Sequence, residues 1–250
     1  MLLSGCTAGA DKAGSETLVL NLATIDGQVD PSGHHYGQAA FVEALGEVSD
    51  GRIEVDVELE YGDGAADAES SLIEAIGSGD LDGGWPSTRA FAQAGIPGLA
   101  AIEAPLMLTN YDALAEVVSG PVGEQVLAAL DDSGIIGLGT TIGELRRPFA
   151  VEPLVEPADW DGIRFRSFNS PVQSDTIATL GGDPVPAGLD WRERVEAGEL
   201  DGAELGFGIG SIVAAGVLPS VTGNVVLWPK LAVLSMNREH RSPMAYTVPT

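Results

Sequence analysis

The sequence predicts an α/β protein of two lobes, each carrying a mostly parallel sheet, with a ligand crevice between them. Three observations support this. Strand-patterned segments alternate with segments of helical apolar spacing, the arrangement of βαβ units. A helix, a glycine stop, an acid and a Leu-Asp-Gly sequence occur together twice, at residues 73–84 and 195–203, roughly half the chain apart. Each copy reads as a helix ending on a left-handed glycine and feeding a short strand, so the repeat points to two lobes of like construction. Finally, 250 residues with 44% hydrophobic content are enough for two cored lobes with many turns. In such folds the crevice at the carboxyl ends of the strands is the expected ligand site.

Element by element, residues 18–23 read as a buried first strand, and residues 36–48 carry apolar positions at helical spacing through Phe41 and Leu45. Ser49-Asp50-Gly51 stops that helix. Ile53, Val55, Val57 and Leu59 alternate with acids, giving a half-exposed strand, and residues 66–76 form a second amphipathic helix ending at Gly77–Gly79. A long helical pattern spans 111–130, interrupted at Gly120-Pro121, and a strand follows at 134–139. The chain then runs through Arg146-Arg147-Pro148 and the Pro153 to Pro157 stretch to the strand 160–166. Ser170 and Pro171 open a helix to Leu180, serine at the cap and proline in the first turn. The last clear strand is 225–235, and 242–250 shows little pattern, so a C-terminal truncation is expected. On this reading residues 1–17 are a tether, 18–142 plus 210–250 form lobe I, and 143–209 form lobe II.

Charge excludes several functions. With 37 acidic and 12 basic residues the formal net charge is −25, which repels nucleic acid and anionic membrane surfaces. No run of about 18 uncharged apolar residues is present to span a bilayer. The single cysteine, Cys6, cannot form a disulfide within the chain. It ends Leu2-Leu3-Ser4-Gly5-Cys6, which resembles the lipobox of bacterial lipoproteins and is followed by a small, polar stretch to Thr17. The competing reading is a chance cysteine in an unstructured end. The resemblance implies a lipidated Cys6 that anchors the protein to a membrane from outside the cytoplasm, although most of a signal peptide is missing before it.

In so acidic a chain an arginine aimed out of a strand stands out. Alternation along Ile163-Arg164-Phe165-Arg166 puts the apolar pair on one face and the two arginines on the other. A guanidinium freed in this way suits a carboxylate bidentately, and Arg166 is the expected ligand contact. The competing reading is a surface ion pair. Trp160 reads as core. Trp85, at a strand end, is the pocket candidate, and Ser87 beyond it offers a hydrogen bond.

Catalysis finds little support. His34 and His35 are adjacent and diverge on either a helix or a strand, which suits neither a shared metal nor a triad, and the third histidine is His240. Neither metal nor cofactor is expected. Residues 206–210 are glycine-rich but lack the dinucleotide spacing. Acidic pairs such as Glu58 and Glu60 leave a carboxylate-dependent hydrolase as a remote alternative, solvated surface being the simpler reading.

The ordered set of short motifs resembles one family. It comprises Asp50-Gly51-Arg52-Ile53, Gly79-Asp80-Leu81-Asp82, Ala104-Pro105-Leu106, Asn110-Tyr111-Asp112 and Ser119-Gly120-Pro121-Val122-Gly123 in the first part. The second part adds Asp159 to Arg166, Leu180 to Pro186 and Gly198 to Glu204. Over residues 18–239 the chain resembles the DctP-type solute receptors of tripartite ATP-independent periplasmic (TRAP) transporters.

The resemblance implies a two-lobed periplasmic-binding-protein-like fold and a monomeric receptor that hands a small organic acid to TRAP membrane subunits. A sensor, or a receptor for another importer, is the alternative. It also implies that Arg166 pairs with the ligand carboxylate and that Arg146 supports it, with Arg147 in that role if the loop differs by one residue. Where the family has an asparagine, this chain has Leu205, and the family's pocket aromatic falls at Gly188 or Leu189. The implied cleft is therefore unusually apolar, walled by Trp85, Phe207 and Trp191 or Trp228.

Overall fold

The computed structural model describes residues 17–27, 38–168 and 170–239. The Cys6 lipobox and its tether, the three histidines and the C-terminal residues 242–250 lie outside them.

The first half of the chain builds a small parallel sheet. Strands β1 (Leu18–Ala23) and β2 (Ile53–Glu58) pair in parallel around helix α1 (Gln38–Val48), and β1 also pairs with β3 (Gly83–Gly84) after helix α2 (Ala68–Ser78). The turn after α1 places Asp50 and Gly51 at φ 52° and 70°, as the stop signal requires. Helix α2 ends on Gly79 at φ 84°, and the second copy of that motif has Gly198 at φ 71°. The long helical pattern resolves into α3 (Tyr111–Ser119) and α4 (Pro121–Ala128). Gly120 between them is extended and Pro121 is pre-set for a first turn, so two helices form where one would be kinked.

The middle of the sheet departs from the expected parallel arrangement. Strand β4 (Ile135–Ala150) is 16 residues long, far beyond the predicted 134–139, and bulges between Gly137 and Gly139 and between Ile142 and Leu145. Its glycines and Pro148 hide the strand from pattern reading, whereas the bulges let it bend on through both lobes. Its antiparallel partner is β9 (Trp228–Asn237).

The second lobe hangs on the far end of β4. After β5 (Arg164–Arg166) come α5 (Pro171–Leu180), β6 (Asp183–Val185), α6 (Trp191–Glu196), β7 (Gly202–Gly206), α7 (Phe207–Val213) and β8 (Ser220–Val221). The sheet order is β2-β1-β3-β9-β4-β7-β5-β6, with β8 on β4. Two parallel half-sheets are thus joined through β9 and β4, which pair antiparallel with each other and with β3 and β7 on either side. Ser170 caps α5 by accepting the Gln173 backbone N–H, as predicted.

Packing moves the expected lobe boundary. Ala214 and Leu218 bury against Phe149, Ala187 and Trp191, and Leu227 and Trp228 bury against Phe165 and Ile177. Ala214, Leu218, Leu227 and Trp228 therefore belong to the second lobe's cores, while Val226 between them joins the first lobe's core ahead of β9. The first lobe has its own core around Leu72, Ile76, Leu99 and Leu114.

Candidate functional site

Glu204 is the centre of the site, and β7 puts it there. That strand is buried throughout and pairs with the end of β4, Arg147 opposite Leu205 and Pro148 opposite Glu204. Alternation turns Arg146 inward and Arg147 outward. Arg146 Nε lies 2.5 Å from Glu204 Oε2, while Arg147 Nε donates to the Gly223 carbonyl at 3.0 Å and its guanidinium stands 6.0 Å from the Phe207 ring.

Arg166 reaches the same carboxylate from β5. Its Nη2 donates to the Glu204 carbonyl at 2.6 Å and stands 3.2 Å from Glu204 Oε1. Its neighbour Arg164 instead pairs at 2.6 Å with Asp201 at a half-exposed edge, so the surface ion-pair reading describes that residue and not Arg166. Arg166 is 1% exposed, and its Nε has no hydrogen-bond partner among the described residues. Burial pushes its pKa down to about 9 against the pull of Glu204, which leaves it cationic at neutral pH.

A third arginine comes from the first lobe. Arg89 grips Glu69 of α2 with two bonds of 2.6 and 3.1 Å, and its Nη1 lies 3.5 Å from Glu204 Oε1. Phe168 is held between Arg89 and Arg166, their guanidinium carbons 3.6 and 4.2 Å from its ring centre. Its φ of 42° is a strained conformation for a bulky residue, kept by this double cation–π clamp. Trp191 adds a ring 5.6 Å from Arg166. Burial alone would raise the Glu204 pKa, but Arg146, Arg166 and Arg89 together hold it below the usual carboxylate range. Behind Arg89, buried Glu103 accepts the Thr88 hydroxyl, and burial pushes its pKa up to about 8.

Of these groups Arg89, Arg146, Arg166 and Phe168 floor a cavity of about 390 Å³ between the lobes, with Glu204 beneath them. The first lobe contributes Asp26, Gln38 and Glu60, β4 and β9 contribute Thr141 and Lys230, and the second lobe contributes Leu189, Trp191, Leu205, Ile209 and Val213. Lys230 Nζ sits 2.6 Å from Asp26. At the second β4 bulge Glu144 turns to accept the Gly208 N–H at 2.7 Å and the Ile209 N–H at 3.3 Å, fixing α7 beside the cavity. The lobes also touch beside Gly188, where the Leu189 N–H donates to the Gly64 carbonyl at 2.8 Å.

Of the residues singled out from sequence, Arg166, Arg146, Leu205 and Trp191 line the cavity. Four others do not. Trp85 is 2% exposed and packs edge-on against Phe41 at 5.9 Å, because the strand before it runs into the first lobe's core. Ser87 is buried beside β9, bridged to Ala232. Phe207 stands on the outer face at 54% exposure, and Trp228 is core. Sequence reasoning missed Arg89, Glu69, Phe168 and the central role of Glu204. The available signal was a charge inside an otherwise small or apolar run, as in Gly202-Ala203-Glu204-Leu205.

A cleft between two α/β lobes, bridged by long shared strands and floored with arginine, is the architecture of bacterial solute receptors. A model of the bacterial extracellular solute-binding proteins, family 7 (DctP), matches residues 25–204, and the chain belongs to that family. The C4-dicarboxylate-binding periplasmic protein DctP of Rhodobacter capsulatus is 26% identical over 191 residues, 76% of this chain and 56% of that protein. A solute-binding protein of Roseobacter denitrificans is 27% identical over 172 residues, 68% of this chain and 51% of its own length. The chain thus spans about half the length of these relatives.

Solved structures agree on the fold. A TRAP periplasmic solute-binding protein from a Polaromonas species, bound to D-erythronate, superposes with a TM-score of 0.77 at 21% identity, covering 88% of this chain and 71% of that one. One from Sulfurospirillum deleyianum with bound succinate gives 0.75 at 20% identity, covering 89% and 71%. Among the described residues no helix is long and apolar enough to cross a membrane, and no cluster of ligating side chains could hold a metal.

Proposed function

We propose that this protein is the solute-capturing receptor of a TRAP importer: it binds a small organic acid between its lobes and delivers it, chemically unchanged, to the membrane subunits. The observation that carries this reading is the arginine cluster beneath the cavity. Arg89, Arg146 and Arg166 face two carboxylates, Glu69 and Glu204, while buried Glu103 behind Arg89 holds its proton at neutral pH, which leaves one buried positive charge for a guest. Arg166 clamps the ligand carboxylate, Arg146 supports it, and Leu205 and Trp191 shape the remainder. Ligand contacts from both lobes favour the closed arrangement over the open one. The receptor works outside the cytoplasm, held to the membrane by lipid on Cys6, which radiolabelled fatty-acid incorporation into the wild type but not Cys6→Ala would test.

A thermal-shift screen of organic acids followed by calorimetry tests the binding. Losing a desolvated charge-assisted contact costs about 2–5 kcal/mol, so Arg166→Ala should weaken the best ligand at least tenfold. Unchanged affinity in that variant, or turnover of the ligand, would refute the reading.

A further inference from the structure

The solute-receptor reading leaves the kind of acid open, and the lining of the cavity narrows it. Charge sets the first limit. The arginine cluster has one positive charge beyond its own acids, and the nearby Lys230 is already neutralised by Asp26 at 2.6 Å. The other ionisable groups on the lining, Glu60 and Glu144, are acids, and Glu144 is occupied with the α7 backbone. A second carboxylate on the guest would meet no uncommitted cation among the described residues.

Polarity sets the second limit. On the second-lobe side the cavity is faced by Trp191 and by Leu189, Leu205, Ile209 and Val213, and the side chains of these last four neither donate nor accept a hydrogen bond. A hydroxyl turned to that wall would leave water without a new partner, weakening binding by about tenfold each. A methylene or methyl there gains apolar burial instead. Among the described lining residues the groups able to bind hydroxyls, besides the arginines, Glu144 and the Trp191 indole N–H, are Asp26, Gln38 and Glu60 of the first lobe and Thr141 and Lys230 of β4 and β9.

We infer that the cavity takes a monocarboxylate with an aliphatic tail, its carboxylate toward Arg146 and Arg166 and its tail along Leu189, Leu205, Ile209 and Val213. This rests on the receptor reading above, and the test separates the two.

Calorimetry on the folded chain would compare 4-methylpentanoate, succinate and gluconate as probes. The expected result is 4-methylpentanoate bound at least tenfold more tightly than either other acid. Val213→Thr, nearly unchanged in shape and only half-buried, should close the gap to gluconate by about threefold or more. Equal or tighter binding of succinate or gluconate by the wild type overturns the inference and leaves the receptor reading standing. If none of the three binds while the wider screen yields an organic acid, the inference alone falls. Silence in both experiments overturns both.

Discussion

Arg166 Nη2 and Glu204 Oε1 stand 3.2 Å apart in the interior of the second lobe, the arginine donating to the Glu204 carbonyl as well. The contact is one arm of a carboxylate shared by three guanidinium groups from three segments of the chain. Glu204 keeps the arginines close together without neutralising them all, so a cationic floor exists before any guest arrives. Phe168 and Trp191 restrict where Arg166 can move, so on the proposed function little ordering of Arg166 is left for binding to impose.

Replacing that carboxylate should be severe. Glu204→Gln leaves buried guanidinium charge unmatched, and the expected loss is about 3 kcal/mol of stability in urea unfolding at pH 7. The folded pKa of Glu204 lies below its unfolded value, so its contribution is complete above the unfolded pKa of about 4.3 and is lost as pH falls through the folded pKa. The gap between wild type and variant should therefore shrink below about pH 4. A gap that stays constant from pH 7 to 3 would contradict this.

Glu103 has the opposite sign. Its folded pKa is raised to about 8, so the folded state holds a proton that the unfolded chain releases near pH 4.3. Stability from this group is present below the unfolded pKa and declines as pH rises to about 8, where it levels. Glu103→Gln keeps an acceptor for the Thr88 hydroxyl and cannot titrate. Melting temperatures measured from pH 5 to 8 should fall for the wild type relative to the variant, and parallel curves would rule the effect out.

Contact at the crevice edge can be wedged open. A methyl at Gly188 would come within 1.9 Å of the Gly64 carbonyl on the opposite lobe, and backbone atoms cannot yield as a flexible side chain can. Gly188→Ala should hold the lobes apart, raise the radius of gyration seen by small-angle scattering in the presence of ligand, and weaken binding by about tenfold or more. A variant that binds and compacts like the wild type would show that the lobes need not meet there.

Salt should stabilise this protein. A formal charge of −25 repels itself most strongly in the compact state, and that repulsion is screened within about 10 Å at 0.1 M salt and 3 Å at 1 M. Unfolding temperature should rise by several degrees between 0.05 and 1 M KCl, most of it by 0.5 M. The buried arginine cluster is little screened, so Glu204→Gln should show the same rise.

Local signals in the chain were enough for its class. The alternation at Ile53 to Val57, the Ser170-Pro171 start and the left-handed glycines at 51 and 79 each depend on near neighbours and stand where the pattern put them, whereas the strand bearing Arg166 is shortened from 160–166 to Arg164–Arg166 by a 3-10 turn at Pro157–Trp160. Choosing between Arg146 and Arg147 needed the register of β4 against β7, a pairing of residues more than fifty positions apart. The lobe boundary depended on which core each of Leu218, Val226 and Leu227 entered, and Trp85 missed the cavity because its strand end is covered by Phe41. Sequence by itself determined an acidic α/β protein with an arginine on a strand at position 166, because strand period, turn chemistry and composition are local properties. Only the tertiary structure decided that Arg89, Arg146 and Arg166 share Glu204, because buried charges choose partners by distance in space, and folding alone brings together segments separated by more than a hundred residues.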